Sequence, residues 1–354
     1  MIVISLFILI IIYVYTYTII TIKFSNNKFS NKQVVEKPIS ILIPFKDESN
    51  NLKVIIESIN ELDYSEFEVI FINDHSEDNS IAIIENLDYS FKYKIYHSKN
   101  FGKKKAIELG VDKANYENVV TTDADCVLNP NWLKEINSGL SDNDMLILPI
   151  IGCKGNTLQN ILSLEQLSLT GTYLALPFFN SGANLAYTKS WFKTINPYKN
   201  DEKASGDDVF FLHKTIAQKG KVKTIKSYNS SVETLMPISF RSFISQRLRW
   251  FDKSKSFKNK WALVFGTILI LVNLAQITTY VLPFYDVNYL NISLIYLSLK
   301  VFIDFSFLFL VATRFKQLYL LKYFVFTELL YPFYVLLIPI MSLFIKPSWK
   351  GRQL

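Results

Sequence analysis

The chain has 354 residues, 38 Lys and Arg against 31 Asp and Glu, a net charge of +7 and 50% hydrophobic side chains. Aromatic residues at 15% and charged residues at 19% exclude an intrinsically disordered chain. Two cysteines, Cys126 and Cys153, exclude a disulfide scaffold, and with only three histidines (His75, His97, His213) they argue against a structural zinc site.

Residues 1–22 carry no charged side chain. As a helix rising ~1.5 Å per residue they reach ~33 Å, enough for the ~30 Å hydrocarbon core. A cleaved signal peptide needs a basic start and a small-residue cleavage site, and neither is present. Residues 1–22 are therefore expected to be an uncleaved anchor. Lys23, Lys28 and Lys32 follow, which by the positive-inside rule puts the next segment in the cytoplasm. That segment, residues 23–260, opens with an Asn-rich linker at 25–31 and has the size of one domain.

Within it, residues 39–44 form a short apolar run ended by Pro44, a buried strand. Residues 50–60 place Leu52, Ile55, Ile56 and Ile59 at helical spacing. Residues 67–72 read as a second strand, 79–87 as a helix and 93–96 as a third strand. Residues 103–113 are helical, with Ala106, Leu109 and Gly110 on one face, and 118–122 are a fourth strand. This order predicts an α/β domain built on a mostly parallel, doubly wound sheet. Ligands of such sheets bind beyond the carboxyl ends of the strands. The residues found there are Lys46, Asp47 and Glu48, then Asn73 and Asp74, then Asp123 and Asp125. Any one of these acids can be a turn or cap residue. Five of them at the ends of three strands point to a shared site.

Asp123-Ala124-Asp125 is the sharpest feature. In extended backbone residues i and i+2 point the same way, and two carboxylates on one side suit a hard divalent cation, Mg2+ or Mn2+, that bridges a diphosphate. The loop at 100–105 opens a helix whose first N–H groups, with Lys103, suit an anion. It lacks the spaced glycines and Ser/Thr of a Walker A loop, and Lys104 and Lys105 are expected to be solvated. Further on, Ser205-Gly206-Asp207-Asp208 stands at a helix start. Asp207 can cap it, and Asp208 can act as a general base on a hydroxyl. Gln246-Arg247-Leu248-Arg249-Trp250 lies in the basic stretch 241–260. Arg247 and Arg249 diverge on a helix, so only one can face a site. Arg241, Lys253, Lys255, Lys258 and Lys260 read as the wet face of a helix at the membrane surface.

Residues 261–345 hold about three more apolar stretches: 261–282, 288–313 with Lys300 and Asp304, and 321–345 with Lys322, Glu328, Pro332 and Pro339. Lys300 and Asp304, four apart, can pair on one helix face. The pair can be a structural tie between helices or line a substrate path. The linker after Leu282 has no Lys or Arg and is expected outside; Arg314, Lys316 and Lys322 are expected inside. A full fourth span would put Lys346, Lys350 and Arg352 of the tail (346–354) outside, against that rule. A kinked or re-entrant last segment would keep them in.

In order along the chain, ISILIPFKDES, FEVIFINDHSEDNS, GKKKAIELG, TTDADC, SGANLAYTK, GDD and QRLRW resemble the motifs of the family-two inverting glycosyltransferases of GT-A fold. The resemblance covers about 39–250. One amino-terminal anchor with a few carboxyl-terminal spans is similar to the ceramide-glucosyltransferase-like branch; polysaccharide synthases are the neighbouring branch. The resemblance implies that Asp47 or Glu48 and Asp74 contact the nucleoside, and that Lys103 lies near the diphosphate. It implies that Asp123 lies by the ribose and the metal, and that Asp125 binds the metal. It implies Asp208 as the base, with Asp207, Ser181, Gly182, Ala183 and Asn184 in the donor-sugar and acceptor region. Gln246, Arg249 and Trp250 would close over the diphosphate and acceptor. The family has two acids where this chain has Asn73-Asp74, so one carboxylate is missing.

The expected activity is transfer of a sugar from a nucleotide donor, a UDP-sugar by preference, to a lipid, lipid-linked or saccharide acceptor with inversion. The expected setting is the bacterial plasma membrane, with the catalytic domain cytoplasmic. A processive polysaccharide synthase is the second reading, and a non-catalytic nucleotide-sugar-binding membrane protein a distant third. A sequence pI near 9.0 does not imply nucleic acid as a partner, because many of the basic residues flank the spans as the positive-inside rule and anionic lipids favour.

Overall fold

The computed structural model describes residues 2–26, 34–199, 206–254, 259–345, 348–349 and 352–353. Lys28 and Lys32 of the linker, Ser205, Lys255, Lys258, Lys346, Lys350 and Gly351 lie outside the described residues, as do the side chains of Asp207 and Arg352. In chain order the elements are α1 (Ile2–Ser25), β1 (Ile39–Phe45), α2 (Leu52–Asn60), β2 (Phe67–Asn73), α3 (Ser80–Asn86), β3 (Lys92–His97), α4 (Lys103–Lys113), β4 (Asn118–Thr122), β5 (Cys126–Leu128), α5 (Trp132–Leu140), β6 (Met145–Ile147) and β7 (Ile150–Gly152). Then follow α6 (Thr157–Ala175), β8 (Asn184–Thr188), α7 (Lys189–Ile195), α8 (Asp207–Ala217), β9 (Val222–Thr224), β10 (Val232–Thr234), α9 (Phe240–Ser254), α10 (Lys260–Tyr285), α11 (Leu290–Arg314) and α12 (Phe324–Met341).

The chain divides into two compact units. One comprises residues 27–153 and 179–235; the other comprises 1–26, 154–178 and 236–354. The first is α/β. Every residue of β1 and β4 is buried, as a strand covered on both faces requires, including the polar Ser40, Asn118, Thr121 and Thr122. β1 pairs in parallel with β2 and β4, and β2 with β3. The seven-stranded order is β3-β2-β1-β4-β8-β6-β9. β6 and β9 also pair in parallel, and β8 alone runs antiparallel, to β4 and β6, so the sheet is mostly parallel as expected. A second sheet, β5-β10-β7, is built of three-residue strands. The core between sheet and helices contains Ile41, Ile43, Ile55, Ile59 and Phe71, all under 1% exposed.

Among the described residues, the second unit contains four helical stretches long and apolar enough to cross a membrane: Ile2–Ser25, Lys260–Tyr285, Val287–Arg314 and Leu318–Met341. α6 and α9 cluster with them. α1 is apolar all round, yet only Leu6, Ile10, Tyr13, Tyr17, Ile20 and Phe24 are buried. Their alternating spacing of four and three residues is one helix face. Tyr17 and Phe24 of this face meet Phe307 of α11 edge-on at 5.6 and 6.1 Å. Gly171 of α6 allows a close approach there: a Cβ would sit 2.5 Å from Val311 and 2.8 Å from Phe307.

Lys300 and Asp304 do pair, at 2.8 Å, and Lys300 also reaches Glu328 of α12 at 2.6 Å. The Tyr13 hydroxyl donates to Asp304 at 2.6 Å, and Gln276 of α10 donates to Glu328 at 3.2 Å. Four helices thus meet at one buried ionic cluster. α12 runs through Pro332 and Pro339 as one helix, so no re-entrant break is found there. Pro332 cannot donate to the carbonyl of Glu328 four residues back; Gln276 donates to that carbonyl instead, at 3.2 Å. Such outside replacement is how a proline is accommodated in an apolar helix.

Candidate active site

The loops after β1, β2, β3 and β4 converge at the carboxyl edge of the parallel half of the sheet. The loop after β1 is fastened to the loop after β2 by a seam of side-chain bonds. Asp47 N–H donates to Ser76 Oγ (3.0 Å), Glu48 N–H to Ser80 Oγ (2.9 Å) and Ser49 N–H to Asp78 Oδ2 (2.9 Å), while Glu77 N–H donates to Asp47 Oδ1 (2.8 Å). Asp47 takes a left-handed φ of 50° to make this approach, a conformation Asp tolerates better than most residues. Burial alone would raise the Asp78 carboxyl, but the bonds from Ser80 and Ser49 outweigh it and hold it at about 2. The spaced small polar residues of Ser76 to Ser80 were the sequence signal for this seam, and chain-order reading passed over it.

Asp74 is 2% exposed. Its Oδ1 accepts from the Gly102 N–H at 2.9 Å and lies 3.3 Å from His75 Nδ1. This joins the second and third loops. Asn73, where the resemblance noted above would place an acid, accepts from Ser76 N–H at 2.8 Å and contacts His97 Nδ1 at 3.2 Å. Its amide braces the loop, so the missing carboxylate falls at a position that here serves the scaffold.

Gly102, at φ 105°, turns the chain into α4. The next residue, Lys103, reaches across to Asp123 at 2.5 Å. Asp123-Ala124-Asp125 is not extended as expected. Ala124 and Asp125 form a turn between β4 and β5, closed by Cys126 N–H donating to Asp123 O at 3.2 Å. Ala124 is buried at 2% exposure while both acids retain some exposure; the turn, not strand alternation, sets them on the same side. The Asp125 carboxyl is pushed up to about 7, first by burial, then by Asp123 and Glu48, with Lys103 opposing. Glu48, Lys103, Asp123 and Asp125 are thus one electrostatic cluster.

Among the described residues no group of three or more His, Cys, Asp or Glu side chains is arranged to hold a metal. The donor set expected from the sequence is Asp123 and Asp125. Two carboxylates fit a hard divalent ion that takes its remaining oxygens from a diphosphate and water, as Mg2+ commonly does.

Lys104 departs from expectation. It is 5% exposed, and its ammonium lies 5.0 Å from the centre of the Phe210 ring of α8. Lys105 is the exposed one, paired with Glu108 at 2.7 Å.

Asp208, on the first turn of α8, is 6% exposed. Its Oδ2 accepts from Gly182 N–H at 3.0 Å and its Oδ1 from Val209 N–H at 2.7 Å. The expected base and the Ser181-Gly182-Ala183 loop are therefore brought together. Asn184 is not available to that region. Its Oδ1 accepts from Trp132 Nε1 at 3.0 Å, and its Nδ2 donates to the carbonyls of Pro149 at 2.7 Å and Ser230 at 3.0 Å. With 1% exposure, it ties three segments together.

Gln246, Arg249 and Trp250 belong to α9 in the other unit. There Arg247 is the inward arginine. It pairs with Glu165 of α6 at 2.7 Å and lies 4.9 and 4.2 Å from the ring centres of Phe243 and Trp250. Burial alone would lower its pKa, but Glu165, Tyr334 and Tyr331 together raise it. Gln246 Oε1 accepts from Arg247 at 3.0 Å. Arg249, two residues on, points elsewhere: its Nη1 donates to Ser245 at 3.4 Å, and burial lowers its pKa.

Residues 40–202 match the family described as glycosyl transferase family 2. The poly-beta-1,6-N-acetyl-D-glucosamine synthase of Staphylococcus epidermidis is 32% identical over 147 residues, which are 40% of this chain and 35% of that one. The synthase of the same name from Staphylococcus aureus strain MSSA476 is 29% identical over 159 residues, 42% of this chain and 38% of that one. The chain thus spans little more than a third of the length of these relatives. Among solved structures, the mannosyltransferase PcManGT from Pyrobaculum calidifontis, in complex with GDP-Man and Mn2+, aligns over 97% of this chain and 98% of its own at a TM-score of 0.59 and 16% identity. That likeness concerns fold, and the fold is the GT-A arrangement accompanied by apolar helices.

Proposed function

We propose, from the premise that residues 40–202 are a glycosyl transferase family 2 domain, that the protein is a membrane glycosyltransferase. It moves a sugar from a nucleoside-diphosphate donor to a lipid or lipid-linked acceptor with inversion. The observation that carries this reading is the cluster of Glu48, Lys103, Asp123 and Asp125 at the carboxyl edge of the sheet.

Asp74, with Asp47 or Glu48, orients the nucleoside, and Lys103 meets the diphosphate. Asp123 and Asp125 would hold Mg2+ or Mn2+, which when bound neutralises charge on the departing nucleoside diphosphate. Only the motif resemblance assigns Gln246, Arg249 and Trp250 a role toward the diphosphate and acceptor, where Arg249 would supply a positive charge. Asp208 takes the proton of the acceptor hydroxyl as that oxygen attacks the anomeric carbon from the face opposite the leaving group. Ser181, Gly182 and Ala183 border that step. Lys23 and Arg314 at helix ends, and the Lys- and Arg-free turn after α10, favour a cytoplasmic α/β unit in a bacterial plasma membrane.

The test is a screen of UDP- and GDP-sugars for metal-dependent transfer by membranes containing the protein; no turnover of any of them in Mg2+ or Mn2+ sinks the reading. A processive synthase is the second reading, favoured by the names of the polysaccharide synthases matched. A polymer ladder from the purified protein would select it.

Metal uptake is expected to depend on pH. With Asp125 pushed up to about 7 against an ordinary carboxyl value of ~4, the metal-free site holds a proton at pH 6 that an incoming cation must displace. Mn2+ affinity should rise about tenfold per unit below pH 7 and level off above it, with near one proton released per ion at pH 6 and almost none at pH 8.5. Calorimetric titration in buffers of different ionisation enthalpy measures this. An affinity that is flat from pH 5.5 to 8 contradicts the assignment.

A further inference from the structure

We propose that the cleft walled by α1, α6, α10, α11 and α12 is a lipid site that takes an uncharged, hydroxyl-bearing head and rejects an anionic one. The inference needs the membrane unit alone and not the donor site.

The cleft holds about 580 Å3 of space, its mouth included, within the ~300–1,000 Å3 of small-molecule sites. All its walls belong to one unit. Leu164, Leu269 and Phe324 give it apolar sides, while Glu165, Asp304 and Glu328 bring three carboxylates to it. Ionisable groups on membrane helices face a partner or a cavity; these face both.

The Lys300 ionic cluster does not use up the polar groups on this cleft. Glu328 is 8% exposed, and its Oε1 accepts from both Lys300 at 2.6 Å and Gln276 at 3.2 Å. Its Oε2 accepts no hydrogen bond from any described residue. The Tyr331 hydroxyl of α12 and the Ser168 hydroxyl of α6 line the same cleft, and neither bonds to a described residue. A tie between helices has no need of these three. Glu165, by contrast, is met on both oxygens, by Arg247 at 2.7 Å and by the Tyr334 hydroxyl.

The open valences define the ligand. A carboxylate oxygen only accepts, whereas a hydroxyl both donates and accepts. A hydroxyl-bearing head can donate to Glu328 Oε2 and accept from Tyr331 or Ser168. A phosphate brings acceptor oxygens and negative charge to a cleft with three carboxylates. Lys300, the one cation lining it among the described residues, is already held by two of them. Like charges so juxtaposed are strongly unfavourable. The ligand's body is hydrocarbon, because the helices walling the cleft are apolar on their outer sides: Leu274, Phe302 and Phe333 are each 50% or more exposed.

The matched probes are dioleoylglycerol and dioleoyl phosphatidic acid, which share both chains and differ by a hydroxyl against a phosphate. Each is titrated into the full chain in a sugar-free ethoxylate detergent. Bound lipid is read by native mass spectrometry, with UDP binding in Mn2+ and thermal unfolding measured on the same samples. The parent should bind dioleoylglycerol at least about tenfold more tightly than phosphatidic acid. Tyr331→Phe should weaken dioleoylglycerol by about 2- to 10-fold, the effect of one hydrogen bond. Ser168→Leu puts a larger apolar side chain at the cleft and should weaken it by more than about tenfold, with UDP binding kept. Equal binding of the two lipids, or tighter binding of phosphatidic acid, overturns the choice of an uncharged head. Dioleoylglycerol binding that Tyr331→Phe and a folded Ser168→Leu both leave unchanged places the lipid elsewhere and overturns the cleft. A folded parent that binds no dioleoylglycerol overturns the site, which then holds water only. A parent that binds dioleoylglycerol selectively but no UDP overturns the donor reading and supports this one.

Discussion

Asp208→Asn should lower sugar transfer by about 10²- to 10⁴-fold, the range associated with a positioned general base, while UDP binding stays within a few-fold of the parent. The substitution is not silent for the scaffold. Both carboxylate oxygens accept backbone N–H bonds, from Gly182 at 3.0 Å and Val209 at 2.7 Å. An asparagine amide can satisfy one of them and must turn its NH2 towards the other, a mismatch of about 1–3 kcal/mol. Nucleotide binding and thermal unfolding therefore have to be measured beside turnover. Lost transfer with retained UDP binding identifies the base. Loss of both means that the carboxylate's task is to hold the 181–183 loop. Transfer at the parental rate removes Asp208 from the mechanism.

The parts of the site legible in the sequence were those whose signal is local. β1, β2 and β4 are almost wholly buried and carry β-branched or aromatic residues, most densely in β1 and β2, and the acids at their ends fall where loops leave the sheet. What was not legible depended on partners far along the chain or on too short a pattern. β5, β7 and β10 have three residues each, too few for alternation to register. The bond between Gly182 and Asp208 spans 26 residues of sequence. Asn184 stood within a motif beside the site, yet its amide is consumed by Trp132, Pro149 and Ser230; no local feature distinguishes a bracing amide from a ligand-binding one. Lys104 read as solvated because lysine usually is, and the rings of Phe210 and Tyr198 beneath it come from 90 or more residues later. The α1 seam was invisible for the opposite reason. Where apolar residues lie on every side of a helix, hydrophobicity cannot mark the packed face, and only the partner helix does.

Lys300→Met should be the most damaging single change in the membrane unit. Lys300 is 2% exposed and holds Asp304 at 2.8 Å and Glu328 at 2.6 Å, so one ammonium serves two carboxylates. Methionine fills much the same volume but leaves both carboxylates buried among apolar helices. Tyr13 and Gln276 each donate one bond to them, which supports the oxygens without supplying charge. Breaking a buried ion pair by removing one partner costs about 3–5 kcal/mol, on the order of 10 °C in unfolding temperature for a unit of this size. The cause can be isolated. The triple variant Lys300→Met, Asp304→Asn, Glu328→Gln has no charge left in the cluster, and replacing a whole buried ion cluster by neutral groups is often close to neutral in stability. It should therefore regain most of the loss in a thermal unfolding scan of detergent-solubilised protein. A single variant that melts with the parent would show that the cluster contributes nothing to holding the four helices together. A triple variant as unstable as the single would mean that packing or hydrogen-bond geometry, and not uncompensated charge, is what Lys300 supplies.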